Sequence, residues 1–289
     1  MKRTHLQTLS LRDRRRKLVN IFMQVLLFLA AVLAIFPLLN VFLYVFKQGA
    51  PSLNASFFTH LPAAVGEAGG GMANALLGSL TLIFLASAVG VPIGIATGVY
   101  LSEYNYGKLP RFLRFTTDLM TSVPSIIVGM FVYAVVVIPM HGFSAYAGGI
   151  ALAIIMAPFV ARTTEEMLKL VPDHIREAGL ALGISRWKVI VRIVLKGSLG
   201  GVLTGVMLAV ARVSGETAPL LFTAFNNKYW ARGLNQPTAS LPVQIYTYAI
   251  SPYEDWHHQA WAGALMLVVL VFVLNVFVRL IFVRKGTSV

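Results

Sequence analysis

Two ionisable residues, Arg212 and Glu216, lie four positions apart within a long apolar stretch of the sequence. An arginine at the centre of a membrane costs roughly 2.5–3.5 kcal/mol, so it needs a partner or a function. Its planar guanidinium can bind a tetrahedral oxyanion through two parallel hydrogen bonds, while a neighbouring carboxylate holds the guanidinium in place. The alternative is an ion pair between helical positions i and i+4 that only fixes helix packing.

We expect both charges to point into a bundle of helices. At about 100° per residue, one arc of roughly 80° on the helix collects Gly201, Gly205, Ala209, Arg212 and Glu216. Small residues on that arc allow close packing against another helix. Pro219 interrupts helical hydrogen bonding just beyond the charges, and broken helices mark substrate sites in many transporters. Arg162, at the end of another apolar stretch, can extend the cationic path or act as an ordinary anchor at the membrane surface.

The elements that must position these charges are membrane-spanning helices. Hydrophobic residues make up 57% of the chain and charged residues 12%, and the mean hydropathy is +0.75, unlike a soluble domain. A helix needs about 20 apolar residues to cross the hydrocarbon core. Six stretches reach or approach that length: Leu18–Phe46, Ala75–Leu101, Leu119–Met140, Tyr146–Ala161, Gly197–Phe225 and Trp261–Val283. The fold predicted is an all-α membrane protein with six transmembrane helices in one domain, 18–289, preceded by a basic tail, 1–17.

The positions of the 24 Lys and Arg residues predict the orientation of the chain. With the N-terminus inside, the cytoplasmic segments carry seven in the tail, three at 108–114, seven at 162–196 and three at 279–285. Only Lys47, Lys228 and Arg232 fall outside. This is the positive-inside distribution, with both termini cytoplasmic. No basic stretch is interleaved with stacking aromatic residues, so the expected partner is the lipid membrane and not a nucleic acid.

The sequence does not favour catalysis within the membrane. The chain has no cysteine, and none of its histidine pairs has metal-ligand spacing on one span. The predicted spans also contain no pair of carboxylates and no histidine that could face a buried serine, as a membrane-embedded hydrolase would need. Gly69-Gly70-Gly71 is followed by no GK[ST], so any ATP must be bound by another protein. We therefore expect a chain without metal, cofactor or enzymatic activity of its own.

The segment 162–196 is predicted to project from the membrane as two short helices. Pro172 can occupy the first turn of a helix with an apolar stripe. Gly183 can supply the left-handed residue that ends it, and Ser185 can cap a second helix. Such a pair makes a good surface for docking a protein; a helix lying on lipid headgroups is the alternative.

The segment 226–259 lies on the outer side in this topology. It contains several aromatic residues and prolines, together with a short apolar-periodic piece at Leu241–Ile250. This composition suits a docking surface or a lid. A plain connecting loop is the other interpretation.

The segment 162–196 also carries a recognisable signature. Its spacing matches the EAA pattern, EAA-x3-G-x9-I-x-LP, at Glu177, Ala178, Gly179, Gly183, Ile193 and Leu195. The chain thus resembles the permeases of binding-protein-dependent ABC importers, with Gly179 in place of the last Ala and Lys196 in place of Pro. The resemblance implies a type I ABC importer permease fold, in which these residues belong to the coupling helices that fit a groove on the ATPase subunit.

A second resemblance narrows the family. The run from Ala211 to Ala224 is similar to the fifth-span signature of the PstA family of phosphate permeases, and residues 162–172 and 251–263 resemble the same family. This similarity implies a non-catalytic subunit of a phosphate importer in the bacterial inner membrane. Its implied partners are the homologous permease PstC, a dimer of the ATPase PstB, which would hold ATP and Mg, and the periplasmic phosphate-binding protein PstS. A permease for sulfate or molybdate, and an intramembrane enzyme, are the alternatives.

Overall fold

The computed structural model describes residues 11–64, 67, 70–104 and 106–286. Most of the predicted basic tail, 1–17, therefore lies outside the described residues. Within them the regular elements are helices, and no strand occurs. The prediction of an all-α protein is confirmed.

The chain divides into two compact units, Met1–Gln48 and Gly49–Val289. Helix α1, Leu11–Gly49, accounts for the described part of the first unit and contains the predicted span Leu18–Phe46. Its 39 residues give a length of about 58 Å, well beyond the roughly 30 Å of a hydrocarbon core. The seven residues Leu11–Lys17, most of them basic, account for about 10 Å of this length.

The second unit contains the remaining helices, some of them long and others of only one or two turns. They are the 3₁₀ turn Ala50–Ser52, α2 Ala55–Thr59, α3 Ala73–Glu103, α4 Lys108–Ser122, α5 Ser125–Val132 with the π-helical turn Tyr133–Val137, α6 Ala145–Lys169, α7 Asp173–Ala181, α8 Arg186–Val189 with the π-helical turn Ile190–Val194, α9 Leu195–Gly197, α10 Leu199–Ser214, α11 Ala218–Leu221, α12 Leu241–Ala249 and α13 Glu254–Gly286.

Four helices among the described residues are long and apolar enough to cross a membrane, namely α1, α3, α6 and α13. Two bent pairs bring the number to six if each pair counts as one span. The first pair is α4 with the helix that follows it, bent by 103°. The second is the segment 186–197 with α10, bent by 70°. If each bent pair is counted as one span, the number agrees with the six predicted spans, and two of them are broken.

The predicted continuous span Leu119–Met140 is wrong in one respect. Helix α4 ends at Ser122, and Val123 adopts an extended conformation with φ −69° and ψ 129°. The cause is local, because a residue that precedes a proline, here Pro124, is disfavoured in the helical region. The apolar sequence continues across this break, so the hydropathy pattern does not reveal it.

The predicted continuous span Gly197–Phe225 is also wrong. Helix α10 begins at Leu199 and ends at Ser214. Pro219 has no N–H to donate to the carbonyl of Gly215, which weakens the helix at this point, and Pro219 instead lies at the start of the next helix. The chain resumes as the single-turn helix α11.

Helix α6 forms the centre of the second unit, with α3 packed along it and α10 on another side. The approach of α3 is close because a Cβ at Gly98 would lie 2.5 Å from the carbonyl oxygen of Ala161. At α10, a Cβ on Gly205 would lie within van der Waals overlap of the Thr163 hydroxyl. The predicted small-residue face of α10 is therefore confirmed at Gly205 as a packing surface for α6.

The apolar-periodic piece Leu241–Ile250 forms helix α12, which packs against α13 and α3. The backbone N–H of Leu241 donates to the Ser79 hydroxyl at 2.7 Å. The ring of Tyr248, which is buried, stacks on Trp256 with centroids 4.7 Å apart. The apolar period therefore reflects packing within the chain, which corrects the interpretation as a plain loop.

Candidate functional site

Arg212 lies in the last turn of α10 and is exposed. Its guanidinium carbon is 5.7 Å from the centre of the Phe159 ring on α6, a cation–π distance. Among the described residues, no carboxylate lies within ion-pair distance of this guanidinium. The aromatic ring therefore supports one face of the group and leaves its hydrogen-bond donors without an acidic partner.

Glu216 does not share a helical face with Arg212, which corrects the sequence prediction. The helix ends between them, where the Gly215 N–H donates to the carbonyl of Arg212 and the Glu216 N–H to that of Val213. The two side chains form no ion pair in the structure, so Glu216 neither holds the guanidinium nor makes the i,i+4 pair of the alternative. The sequence indicates this break through Pro219, because proline lacks the N–H that would bond the Gly215 carbonyl in a continuous helix.

Arg162 has the opposite environment. Its Nη1 lies 2.9 Å from Asp118 Oδ1 on α4, and its Nε lies 2.8 Å from Glu166 Oε1 one turn along α6. The Arg162 side chain is 44% exposed. Two carboxylates thus pair with the guanidinium that the sequence assigned to a cationic path.

A buried carboxylate that the sequence did not reveal lies close to Arg162. Glu165 is only 2% exposed and pairs with Arg114 of α4 at 2.7 Å and with Lys169 of α6. A buried charge is stable only when it is paired and hydrogen-bonded, and two cations serve this purpose here. The contact joins residues 51 positions apart, so it carries no signal in a local sequence pattern.

Helices α4 and α6 are therefore joined by two ion pairs of opposite polarity. Helix α4 contributes the cation of Arg114 and the anion of Asp118, whereas α6 contributes the anion of Glu165 and the cation of Arg162. This arrangement explains why α4 turns its polar face toward α6. Its exposed face is apolar, with Phe112, Phe115 and Leu119 among the exposed side chains.

The two short helices predicted within 162–196 are confirmed as α7 and α8, which we call the α7–α8 hairpin (Asp173–Val189). Gly183 between them has φ +76°, the left-handed conformation that the sequence predicted. Pro172 occupies the N-cap position of α7 and not its first turn. Ser185 occupies the N-cap position of α8, although its side chain makes no capping hydrogen bond.

The residues of the EAA signature divide into a packed set and an exposed set. Gly179 is buried, and a Cβ there would lie 3.0 Å from Val189 and 3.2 Å from Ile193. The glycine in place of alanine thus allows α7 to pack closely against the end of α8 and the π-helical turn that follows it. Glu177 and Ala178 are exposed. Gly183 is also exposed, whereas Ile193 and Leu195 are half-buried.

Exposed apolar side chains mark the tip of the α7–α8 hairpin. Leu182 is 80% exposed and Trp187 is 60% exposed. Among the described residues no group of three or more histidines and carboxylates could hold a metal ion.

Comparison with known sequences gives consistent matches. The model of the family described as binding-protein-dependent transport system inner membrane component matches residues 90–285. The phosphate transport system permease protein PstA of Yersinia pestis is 48% identical over 239 residues, which cover 82% of this chain and 81% of that protein. The protein of the same name from Haemophilus influenzae is 44% identical over 277 residues, 96% of this chain and 98% of that protein.

Two solved structures share the fold. A bacterial ABC transporter involved in the import of the acidic polysaccharide alginate matches with a TM-score of 0.63 and 15% identity, covering 96% of this chain and 99% of that chain. An inward-facing form of the MetNI methionine ABC transporter matches with a TM-score of 0.57 and 21% identity, covering 74% of this chain and 94% of that chain. At these identities the likeness concerns the fold alone.

Proposed function

The chain belongs to the binding-protein-dependent transport system inner membrane component family, and from this premise we propose that it is the transmembrane permease subunit of an ATP-driven importer of inorganic phosphate. It is a multi-pass membrane protein with the type I ABC importer permease fold, which works with an ATPase. Phosphate as the substrate is supported by relatives that carry the name of a phosphate permease and are 44–48% identical over most of the chain.

The proposed assembly lies in the bacterial inner membrane with both termini cytoplasmic. This orientation is supported by the basic residues at 162–196, because Lys and Arg are enriched in cytoplasmic loops, and the α7–α8 hairpin would then be cytoplasmic. The partners would be the homologous permease PstC, the ATPase PstB and the periplasmic phosphate-binding protein PstS. In this assembly ATP and Mg belong to the ATPase, and this chain needs no cofactor and catalyses no reaction.

Arg212 is the residue that we assign to phosphate in the membrane. An anion there loses its hydration, which costs several kcal/mol unless new hydrogen bonds replace the water. A hydrogen bond to a charged group contributes about 1.5–3 kcal/mol, and a guanidinium offers two of them in parallel to one phosphate. The observation that carries the assignment is the absence of a carboxylate partner at Arg212 among the described residues, with Phe159 supporting the ring-facing side.

Arg162 and Glu216 have secondary roles in the proposed path. Arg162 lies three residues after Phe159 on α6, close to one helical turn away, but its Nη1 and Nε atoms are held by Asp118 and Glu166. We propose that it meets the anion only when those ion pairs open. Glu216, in the segment between α10 and α11, can approach Arg212 only if that segment rearranges.

The α7–α8 hairpin is the proposed docking element for the ATPase. Its exposed Leu182 and Trp187 supply an apolar surface, and the packed Gly179 holds the two helices of the hairpin together. Exposed apolar side chains of this size are typical of a protein interface.

The function is tested by uptake of radiolabelled phosphate into proteoliposomes that contain this chain with the partner permease, the ATPase and the binding protein. Uptake should require ATP and should be reduced by unlabelled phosphate but not by sulfate or molybdate. Competition by sulfate or molybdate at equal concentration would instead assign the chain to another oxyanion. Transport by the purified chain without an ATPase would contradict the permease assignment altogether.

A further inference from the structure

Arg176 joins three separate elements at the end of the bundle that carries the α7–α8 hairpin. Its side chain is 16% exposed and projects from α7 to the carboxylate of Glu103, the last residue of α3, which is 6% exposed. The Nε and Nη2 atoms lie 3.1 and 3.0 Å from the same Glu103 oxygen. The guanidinium also donates to the carbonyl oxygens of Leu168 and Val171, at and just beyond the last turn of α6.

The second helix of the hairpin holds the same residue of α3. The Nη2 atom of Arg186, on α8, donates to the backbone carbonyl of Glu103 at 2.8 Å. Its guanidinium carbon lies 4.8 Å from the centre of the Tyr104 ring. Both helices of the hairpin are therefore attached to Glu103, one through the carboxylate and the other through the main chain.

The end of α3 is in turn connected to the proposed phosphate path by close packing. Helix α3 packs closely on α6 at Gly98, where a Cβ would lie 2.5 Å from the carbonyl oxygen of Ala161 and 2.6 Å from the Thr164 side chain. Helix α6 carries Phe159, the support of Arg212, and Arg162. A displacement of Glu103 along α3 would therefore reach α6 through a close-packed contact.

We propose that Arg176 is a positioning residue that couples the α7–α8 hairpin to helix α3, with Arg186 as a second, weaker attachment at Glu103. The proposal rests on the proposed docking of an ATPase to this hairpin. Movement of the docked ATPase is passed through Arg176 to Glu103 and from α3 to the helix that bears Phe159 and Arg162. Arginine is needed because five donors in one plane can satisfy the carboxylate and two carbonyls together, which a lysine ammonium cannot do in this geometry.

The test measures the number of ATP molecules hydrolysed per phosphate imported by the complete assembly in proteoliposomes. Arg176→Lys keeps the charge and loses the planar fork. We expect this ratio to rise at least about fivefold, the lower end of the range for coupling between two sites, while the complex still assembles and hydrolyses ATP. Arg192→Lys is the matched control, because Arg192 is exposed in the same region and forms no ion pair among the described residues; it should keep the wild-type ratio.

A second variant separates coupling from charge balance. Removing Arg176 alone leaves the buried Glu103 carboxylate unpaired, which can destabilise the chain. Arg176→Gln combined with Glu103→Gln removes both charges, so the chain should fold, but the bonds to Leu168 and Val171 remain weakened and the ratio should stay high. Recovery of the wild-type ratio in this double variant would overturn the proposal, since Arg176 would then only neutralise Glu103.

Two other results would also overturn it. A wild-type ratio in Arg176→Lys would show that the fork is not needed, and loss of ATPase association in that variant would show that Arg176 shapes the docking surface and does not transmit movement. Failure of the wild-type assembly to import phosphate would instead contradict the proposed function, whatever the variants do.

Discussion

Arg212 on α10 and Arg162 on α6 lie on two helices that pack together, yet their environments are opposite. Arg212 lies near the Phe159 ring, and Arg162 follows Phe159 by three residues on the same helix. Arg162 has a carboxylate at Nη1 and another at Nε. Arg212 has an aromatic ring beneath it and no carboxylate within ion-pair distance among the described residues. A guanidinium paired with two carboxylates links helices, whereas one without an acidic partner can donate hydrogen bonds to an anion.

Two other arginines, Arg114 and Arg176, also differ from Arg212 in having acidic partners. Arg114 and Arg176 are both paired with carboxylates that are almost fully buried, Glu165 and Glu103. Their loss should therefore act first on folding or coupling. The loss of Arg212 should act first on transport, because no buried carboxylate among the described residues pairs with it.

The largest effect is expected for Arg212. Arg212→Gln removes charge and fork, and phosphate uptake should fall about 100-fold, in line with the loss of one or two hydrogen bonds to a charged group. Arg212→Lys keeps the charge, so a loss of about tenfold is expected. Uptake by proteoliposomes with equal amounts of assembled complex is the measurement. Normal uptake by Arg212→Gln would remove Arg212 from the path, and a failure of either variant to assemble would make it a packing residue.

A smaller effect, on stability, is expected for Arg114. Arg114→Gln leaves Glu165 with Lys169 as its remaining partner. Removal of one partner of a buried pair costs about 3–5 kcal/mol, and the partial exposure of Arg114 should reduce this to about 2 kcal/mol. The thermal unfolding midpoint in detergent should fall, and the control Arg111→Gln, an exposed arginine on the same helix, should leave it unchanged. An equal unfolding midpoint in both variants would show that the ion pair between Arg114 and Glu165 does not stabilise the packing of α4 on α6.

A weaker effect is expected for Asp118. Asp118→Asn removes one of the two carboxylates from Arg162, and an exposed ion pair contributes at most about 1 kcal/mol. If Arg162 belongs to the phosphate path, uptake at low phosphate should rise, by up to about fivefold, with little change in thermal stability. Asp255→Asn, which alters an exposed aspartate on α13, is the control. Unchanged or lower uptake in Asp118→Asn would leave Arg162 as a link between helices.

Local signals in the sequence predicted a large part of this structure. The apolar stretches located the helices because burial in lipid requires long apolar segments. Gly183 located the turn of the α7–α8 hairpin because a positive φ is strained for other residues. Pro124 and Pro219 also mark the two helix breaks in the local sequence. A hydropathy pattern misses such breaks because it averages over the apolar stretches on both sides of each proline. The effect of proline on helical hydrogen bonding was considered only at Pro219.

The ion pairs could not be predicted in the same way. Arg114 and Glu165 are 51 positions apart, and Arg176 and Glu103 are 73 apart, so their contacts depend on how the helices pack. Helical spacing suggested that Glu216 pairs with Arg212, but that spacing holds only while the helix continues. The assignment of Arg212 to the site therefore stays a prediction from the sequence, whereas the partners of the other charged residues required the tertiary structure.

The smallest effect is expected for Glu216, and it decides between the two interpretations of its spacing from Arg212. Because the helix ends at Ser214 and the two side chains form no ion pair, Glu216→Gln should change uptake by less than about twofold, the change expected for a residue without a specific contact. A double-mutant cycle with Arg212→Lys, measured on the rate of uptake at low phosphate, should then give an interaction energy within about 0.5 kcal/mol of zero. A carboxylate that holds the guanidinium would give a larger value, since each substitution would remove the same contact. An interaction above that limit would mean that the segment between α10 and α11 rearranges during transport and brings Glu216 to Arg212, so that the open donors of Arg212 describe only one state of the cycle.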